Sequence, residues 1–149
     1  MLIVLPPSET KAPGGTDAAM SLSFPSLDAV RTSLIDVLTA TDVDTQMREL
    51  KIPAGKRAEA EENLALRSAP VMPAIQRYTG VLYDALDAAT LSPDALSRLA
   101  VGSALFGVVR AGDLIPRYRV SGGSKVDGKT MKAWWGTSIS DVLGEQGFV

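Results

Sequence analysis

A chain of 149 residues, 46% hydrophobic and 21% charged, has the size and composition of one globular domain. It contains no cysteine, which excludes disulfides, thiolate catalysis and cysteine-held zinc or iron–sulfur centres, and no histidine, which removes the commonest metal ligand and the commonest base near neutral pH. The net charge of −2 hides a segregation: residues 48–77 carry six basic and four acidic groups and residues 110–132 six and two, whereas residues 1–47 carry two and six; two basic segments in an acidic chain point to an anionic partner.

Met1-Leu2-Ile3-Val4-Leu5 is apolar but too short for a signal peptide, and no apolar run approaches the ~20 residues that span a bilayer. A cytoplasmic location with no membrane partner is expected. Leu2 to Leu5 reads as a short buried strand ended by Pro6-Pro7, and Ser8 to Thr16 as a loop with Lys11 and Gly14-Gly15. Ser26 is the expected N-cap of a helix whose Leu27, Val30, Leu34, Val37 and Leu38 share one face. Residues 44–68 read as two short helices joined by a tight connection at Lys51-Ile52-Pro53-Ala54-Gly55-Lys56-Arg57, interrupted by Pro70 and Pro73. Ile75 to Leu86 is helical with Gly80 inside it. Ser92-Pro93-Asp94 is a helix start with Ser92 as N-cap and Pro93 at the first position. Val101 to Val109 is an apolar strand in which Gly102 and Gly107 imply a bend or close backbone approach. Arg110 to Lys129 is a polar, basic, glycine-rich segment. Met131 to Gln146 is a helix with Trp134 and Trp135 near its start, and Gly147-Phe148-Val149 opens another strand.

Four constellations carry candidate chemistry. The connection has what a phosphate-gripping helix–hairpin–helix needs: a glycine turn (Gly55), a following helix N-terminus, and flanking Lys51, Lys56 and Arg57. Such contacts position a backbone without reading sequence. The second basic segment brings Arg110, Arg117, Arg119 and Lys125 around glycines, with Tyr118 able to stack on a base; its plainer reading is an Arg110–Asp113 pair holding a loop. Ser8-Glu9-Thr10-Lys11 has the S-x-x-K spacing of serine acyl enzymes but none of their companion motifs. Asp84 and Asp87 lie three apart and could face an oxygen-loving metal or simply solvent.

Leu2-Ile3-Val4-Leu5-Pro6-Pro7-Ser8-Glu9-Thr10-Lys11 resembles the N-terminal signature of the YaaA peroxide-stress family. Tyr78-Thr79-Gly80-Val81-Leu82-Tyr83-Asp84-Ala85-Leu86, then Ser103 to Arg110 with Asp113-Leu114-Ile115 and Tyr118-Arg119, then Trp134-Trp135-Gly136, are similar to its later blocks in order and spacing. The resemblance implies a mixed α/β (α+β) fold with a helix–hairpin–helix element at about residues 44–68, a single domain over residues 1–149, and a C-terminal part that longer family members have and this chain lacks. It implies a cytosolic, non-catalytic role in the peroxide response: binding DNA and limiting free iron. It also implies that Lys11, Arg110, Asp113, Tyr118, Arg119 and Lys125 line a common cleft. The expected function is sequence-tolerant DNA binding through Lys51, Gly55, Lys56 and Arg57, with no metal and no cofactor. The alternative is an enzyme or binding protein that holds a small phosphate or nucleotide against Lys11, Arg110, Asp113 and Arg119.

Overall fold

The computed structural model describes residues 1–146, so the expected strand at Gly147-Phe148-Val149 lies outside them. In chain order the elements are β1 (Ile3–Leu5), α1 (Asp28–Ala40), α2 (Val43–Glu49), α3 (Arg57–Leu64), β2 (Val71–Pro73), α4 (Ala74–Arg77), α5 (Val81–Leu86), α6 (Pro93–Ser97), β3 (Leu99–Ser103), β4 (Gly107–Arg110), β5 (Leu114–Pro116), β6 (Lys125–Val126), β7 (Lys129–Thr130), α7 (Met131–Trp135) and α8 (Ser138–Glu145). The class is mixed α and β. Among the described residues three small sheets order as β1-β3-β4, β2-β5 and β6-β7. β1 runs parallel to β3, with Val4 opposite Ala100, so a long crossover separates the paired strands. β3 and β4 form an antiparallel hairpin, Val101 opposite Val109, around the turn at Ala104–Phe106.

The apolar stripe of α1 closes over this hairpin. Leu27, Leu34 and Leu38 are buried as expected, but so is Arg31, which falls on the same face. Its Nε and Nη2 donate to the carbonyls of Phe106 and Val108, both at 2.8 Å, and Nη1 donates to Phe24 O and to Asp28. Ser26 does not cap α1: it lies in a 3-10 turn at Pro25–Leu27, started by the preset φ of Pro25, and α1 begins at Asp28 without a side-chain cap. Ser92 does cap α6, accepting from the N–H of Ala95. A Cβ on Gly107 would lie 3.0 Å from the Trp135 ring, and its φ of +80° belongs to glycine, so the glycine both turns the chain and seats the buried tryptophan.

Three expected elements are divided, the first being the apolar strand over Val101 to Val109, which folds back as the β3–β4 hairpin. The helix over Ile75 to Leu86 breaks at Tyr78-Thr79-Gly80, where Gly80 takes φ 113°, because the Thr79 N–H turns to Ser8 Oγ and Thr10 O. The helix over Met131 to Gln146 breaks at Gly136, φ 53°, leaving Trp135 buried and Trp134 at the rim. Inside the polar segment, Asp127 and Gly128 both take positive φ and close the β6–β7 hairpin as a two-residue turn.

Every described strand is only two to five residues long, so side chains complete the backbone's hydrogen bonding. Arg77 is fully buried and does this for four carbonyls: Nη1 donates to Ala12 O (2.7 Å) and Gly14 O (2.9 Å), Nη2 to Pro70 O (3.0 Å) and Ile115 O (3.1 Å), and Nε to Ile115 O again. Arg77→Met fits the space but orphans these acceptors. It is expected to lower the unfolding free energy by at least about 3 kcal/mol, since each buried unsatisfied group costs about 1–3 kcal/mol. Urea unfolding checks this; a loss under about 1 kcal/mol contradicts it.

Candidate functional site

The loop after β1 returns across the start of α5 and is tied there from both sides. Ser8 Oγ donates to Thr10 O (2.6 Å) and accepts the Thr79 N–H, Ala12 N–H donates to Arg77 O (2.7 Å), and Lys11 bridges Tyr78. With Arg77 holding the carbonyls of Ala12 and Gly14, the position of Lys11 is fixed by residues far away in sequence. Its side chain lies over aromatic rings, Nζ 4.5 Å from the Tyr118 centroid and 5.7 Å from that of Tyr78. Nζ donates to the backbone carbonyl of Ser8 at 3.1 Å. The Ser8 hydroxyl is therefore not paired with the lysine, and the S-x-x-K spacing forms no serine–lysine dyad.

Below Lys11 is a buried hydroxyl chain: Tyr78 and Tyr118 share a hydrogen bond of 2.6 Å, Tyr118 and Ser103 one of 2.8 Å, and Ser103 accepts the Phe106 N–H. Burial pushes the Tyr118 phenol up to about 12 and Tyr78 also upward, so both stay protonated. Burial first, and then the positive charge of Arg119, brings the Lys11 amine down to about 8; Glu59 and Glu9 oppose the shift and Arg117 adds to it.

Arg117 and Arg119 flank Tyr118 and reach toward α3, which answers with two carboxylates three residues apart. Arg119 Nη1 pairs with Glu59 at 2.7 Å and Arg117 Nε with Glu62 at 3.5 Å. The backbone of Arg119 is held as a strand partner would hold it: its N–H donates to Asn63 Oδ1 (2.9 Å) and its carbonyl accepts from Asn63 Nδ2 (3.0 Å). Asn63 also donates to Gln46 on α2, whose amide donates to Leu38 O and Thr41 O. These buried amides couple both short helices to the basic segment; sequence reasoning overlooked them because polar residues within an amphipathic helix read as solvent-facing.

Two adjoining cavities, of about 240 and 370 Å³, result. Glu9, Lys11, Tyr118 and Arg119 line both. Ser8 and Ser121 extend the first, and Pro53, Lys56, Glu59 and Arg117 the second. The concave site thus includes the connection between α2 and α3.

The six residues expected in one cleft do not all meet there. Lys11, Tyr118 and Arg119 line these cavities; Arg110 and Asp113 line a different surface pocket. The Asp113 carboxylate accepts Ser23 N–H, Ser23 Oγ–H and Arg110 N–H, at 2.7–2.9 Å, so it closes a loop. The Arg110 guanidinium lies over Phe24 and donates to Ser97 O and Gln146, so these two residues do not pair side chain to side chain. Lys125 is exposed on β6, opposite Thr130. Asp84 and Asp87 are exposed, Asp87 capping α5 in the left-handed region. All four residues at the connection are exposed, and among the described residues neither Lys51 nor Lys56 has an ion pair. Arg57, by contrast, is engaged by Asp44 at 2.7 Å and Glu61 at 3.7 Å and ties α3 to α2. Among the described residues no group of three or more His, Cys, Asp and Glu could hold a metal ion, and no helix is long and apolar enough to cross a membrane.

Comparison with known proteins adds a family. The model of the peroxide stress protein YaaA family matches residues 1–149. The chain is 60% identical to a UPF0246 protein of Corynebacterium efficiens over 96% of its length, 42% identical to one of Streptomyces coelicolor over 97%, and 31% identical to one of Shewanella pealeana over 97%. It spans about three fifths of the length of these relatives, 60–62%.

The lowered Lys11 amine has a signature in stability. Between pH 8 and 10.5 the unfolded chain holds more protons at this group than the folded chain, so its contribution to stability rises with pH across that window. The difference in unfolding free energy between the parent and Lys11→Met is expected to move in favour of the parent from pH 8 to 10.5. Denaturant titrations of both proteins at several pH values check this, and a difference independent of pH contradicts it.

Proposed function

This chain belongs to the peroxide stress protein YaaA family, and from that membership we propose that it is a DNA-binding protein of the peroxide response. In this reading the connection between α2 and α3 grips phosphates without regard to sequence. The observation that carries the reading is the state of α3's N-terminus. It has no side-chain cap, so no side chain occupies its first N–H groups, and it follows Lys51 and Lys56, two lysines that have no ion pair among the described residues.

The geometry of Lys51 supports the same reading. α2 ends in a Schellman arrangement, the Ile52 N–H donating to Met47 O at 2.9 Å, which places Lys51 in the left-handed region at φ 56°. Glycine takes that position without steric cost, whereas a side-chain-bearing residue there costs about 1–2 kcal/mol. A lysine kept in a glycine's conformation, beside an uncapped helix start, fits selection for charge over stability. Lys56 then leads from the phosphate grip into the cavities at Lys11, Arg117 and Arg119, where the apposed glutamates hold the guanidinium planes in place. In this reading the chain protects DNA by contact and, as the family resemblance implies, limits free iron.

Fluorescence anisotropy of a labelled duplex across a salt series tests the reading. Saturable binding is expected, with the slope of log K against log salt falling by about 0.9 for each phosphate contact removed in Lys51→Glu and Lys56→Glu. Absence of salt-dependent binding by the folded parent, or unchanged slopes in both variants, overturns it. Lys51→Gly separates the two demands on its position: it is expected to raise stability by about 0.5 kcal/mol or more while weakening DNA binding, because relief of the left-handed strain exceeds glycine's extra unfolded-state entropy.

A further inference from the structure

We propose that Lys11 is an amine nucleophile that forms an imine with the aldehyde of a ring-opened, phosphate-bearing deoxyribose, the sugar left where DNA has lost a base. The substrate class rests on the DNA-binding reading; the reactive amine rests on the cleft itself.

Lysines in clefts ordinarily face a carboxylate, and among the described residues Lys11 has no ion pair. Its nearest polar contact is a neutral one, the Ser8 carbonyl, and its other neighbours are the faces of Tyr118 and Tyr78. Glu59, the carboxylate best placed on α3 to neutralise it, is spent on Arg119. The charged groups around the amine are therefore Glu9 from its own loop, Glu59 from α3, and Arg117 and Arg119 from the segment after β5, with the protonated phenols of Tyr78 and Tyr118 beneath it. Burial and the arginines leave an amine that titrates at about 8, so about a tenth is neutral and nucleophilic at pH 7.

Placement matches the substrate as well as the reactivity. Lys11 stands on the wall shared by two cavities large enough for one extruded sugar, and the second of these opens at Lys56, beside the phosphate grip. A sugar turned out of the duplex would carry its aldehyde to Nζ while its flanking phosphates remain near Lys56, Arg117 and Arg119.

The chemistry balances without any co-reactant beyond water. The Nζ lone pair forms the C–N bond at C1′, and the aldehyde oxygen departs as water. The resulting iminium acidifies the C2′ proton, which passes to a base; Glu9, exposed and lining both cavities, is suited to take it. The C2′–H electron pair becomes the C2′=C3′ bond, the C3′–O bond breaks, and the 3′ phosphate leaves with the electron pair of the C3′–O bond. Hydrolysis of the imine returns the amine.

The test incubates the parent, Lys11→Arg and Lys11→Ala with an end-labelled duplex containing one abasic site, with cyanoborohydride to reduce any imine. A parallel arm uses free 2-deoxyribose 5-phosphate read by intact mass, and anisotropy with an undamaged duplex measures binding separately. A covalent protein–DNA adduct is expected with the parent, rising from pH 7 to pH 8, mapping to Lys11 by peptide mass spectrometry and absent from both variants. Circular dichroism verifies that the variants fold, and mapping on the parent identifies the nucleophile should they not. Binding of undamaged duplex with no adduct in either arm overturns the imine and leaves the DNA-binding reading standing, as does an adduct that maps elsewhere. An adduct without saturable binding of undamaged duplex supports the imine and overturns that reading. Labelling by the free sugar phosphate alone overturns DNA as the source of the aldehyde.

Discussion

One buried guanidinium organises the cleft around Lys11. Arg77 ties the carbonyls of Ala12 and Gly14 in the first loop to those of Pro70 before β2 and Ile115 in β5. A planar fork with five donors suits this task, since neither a lysine nor a neutral amide could reach so many acceptors in fixed directions. The loop it anchors carries Lys11, and the strand it anchors runs directly into Arg117, Tyr118 and Arg119. That bond set, together with the Tyr78–Tyr118 hydrogen bond, gives the two walls of the cleft a common reference. Arg31 repeats the device on the other side of the core, joining α1 to the backbone around the β3–β4 turn.

The cleft and the helix pair are one mechanical unit for a related reason. Asn63 pairs with both backbone groups of Arg119 and with Gln46, so a single buried amide connects α3, α2 and the basic segment. Every polar atom in this network has a partner, which is the condition under which buried polar groups add definition rather than cost. The distance between the α2–α3 connection and the amine of Lys11 is thereby set by packing rather than by a flexible linker.

Charge is distributed with the same economy. The arginines of the cleft are held by glutamates and contribute shape as much as potential, while Lys51 and Lys56 remain without ion pairs among the described residues. In a chain of net charge −2, attraction to a polyanion depends on such local imbalance and is screened strongly by salt.

The sequence by itself determined the elements whose signal is local. Ser92-Pro93-Asp94 announced α6, the spacing of Leu27, Leu34 and Leu38 announced α1, and four motif blocks announced the family. Other local signals are also present: Asp127-Gly128 is a hairpin turn on its face, Gly80 sits where a helix begins and Gly136 where one ends. Tertiary structure alone decided the rest. Periodicity names the buried face of a helix, but it does not say that Arg31, Gln46 and Asn63 on such faces will find carbonyls and amides to satisfy them. Motif order placed Arg110 and Asp113 close to Arg119 in the chain, yet Asp113 turned to Ser23 and Arg110 to Phe24. Arg57 reads as one of the cations of the connection, and only the fold shows that α2 brings Asp44 against it. A side chain's type is local, whereas its partner is contributed by whatever segment the fold carries alongside.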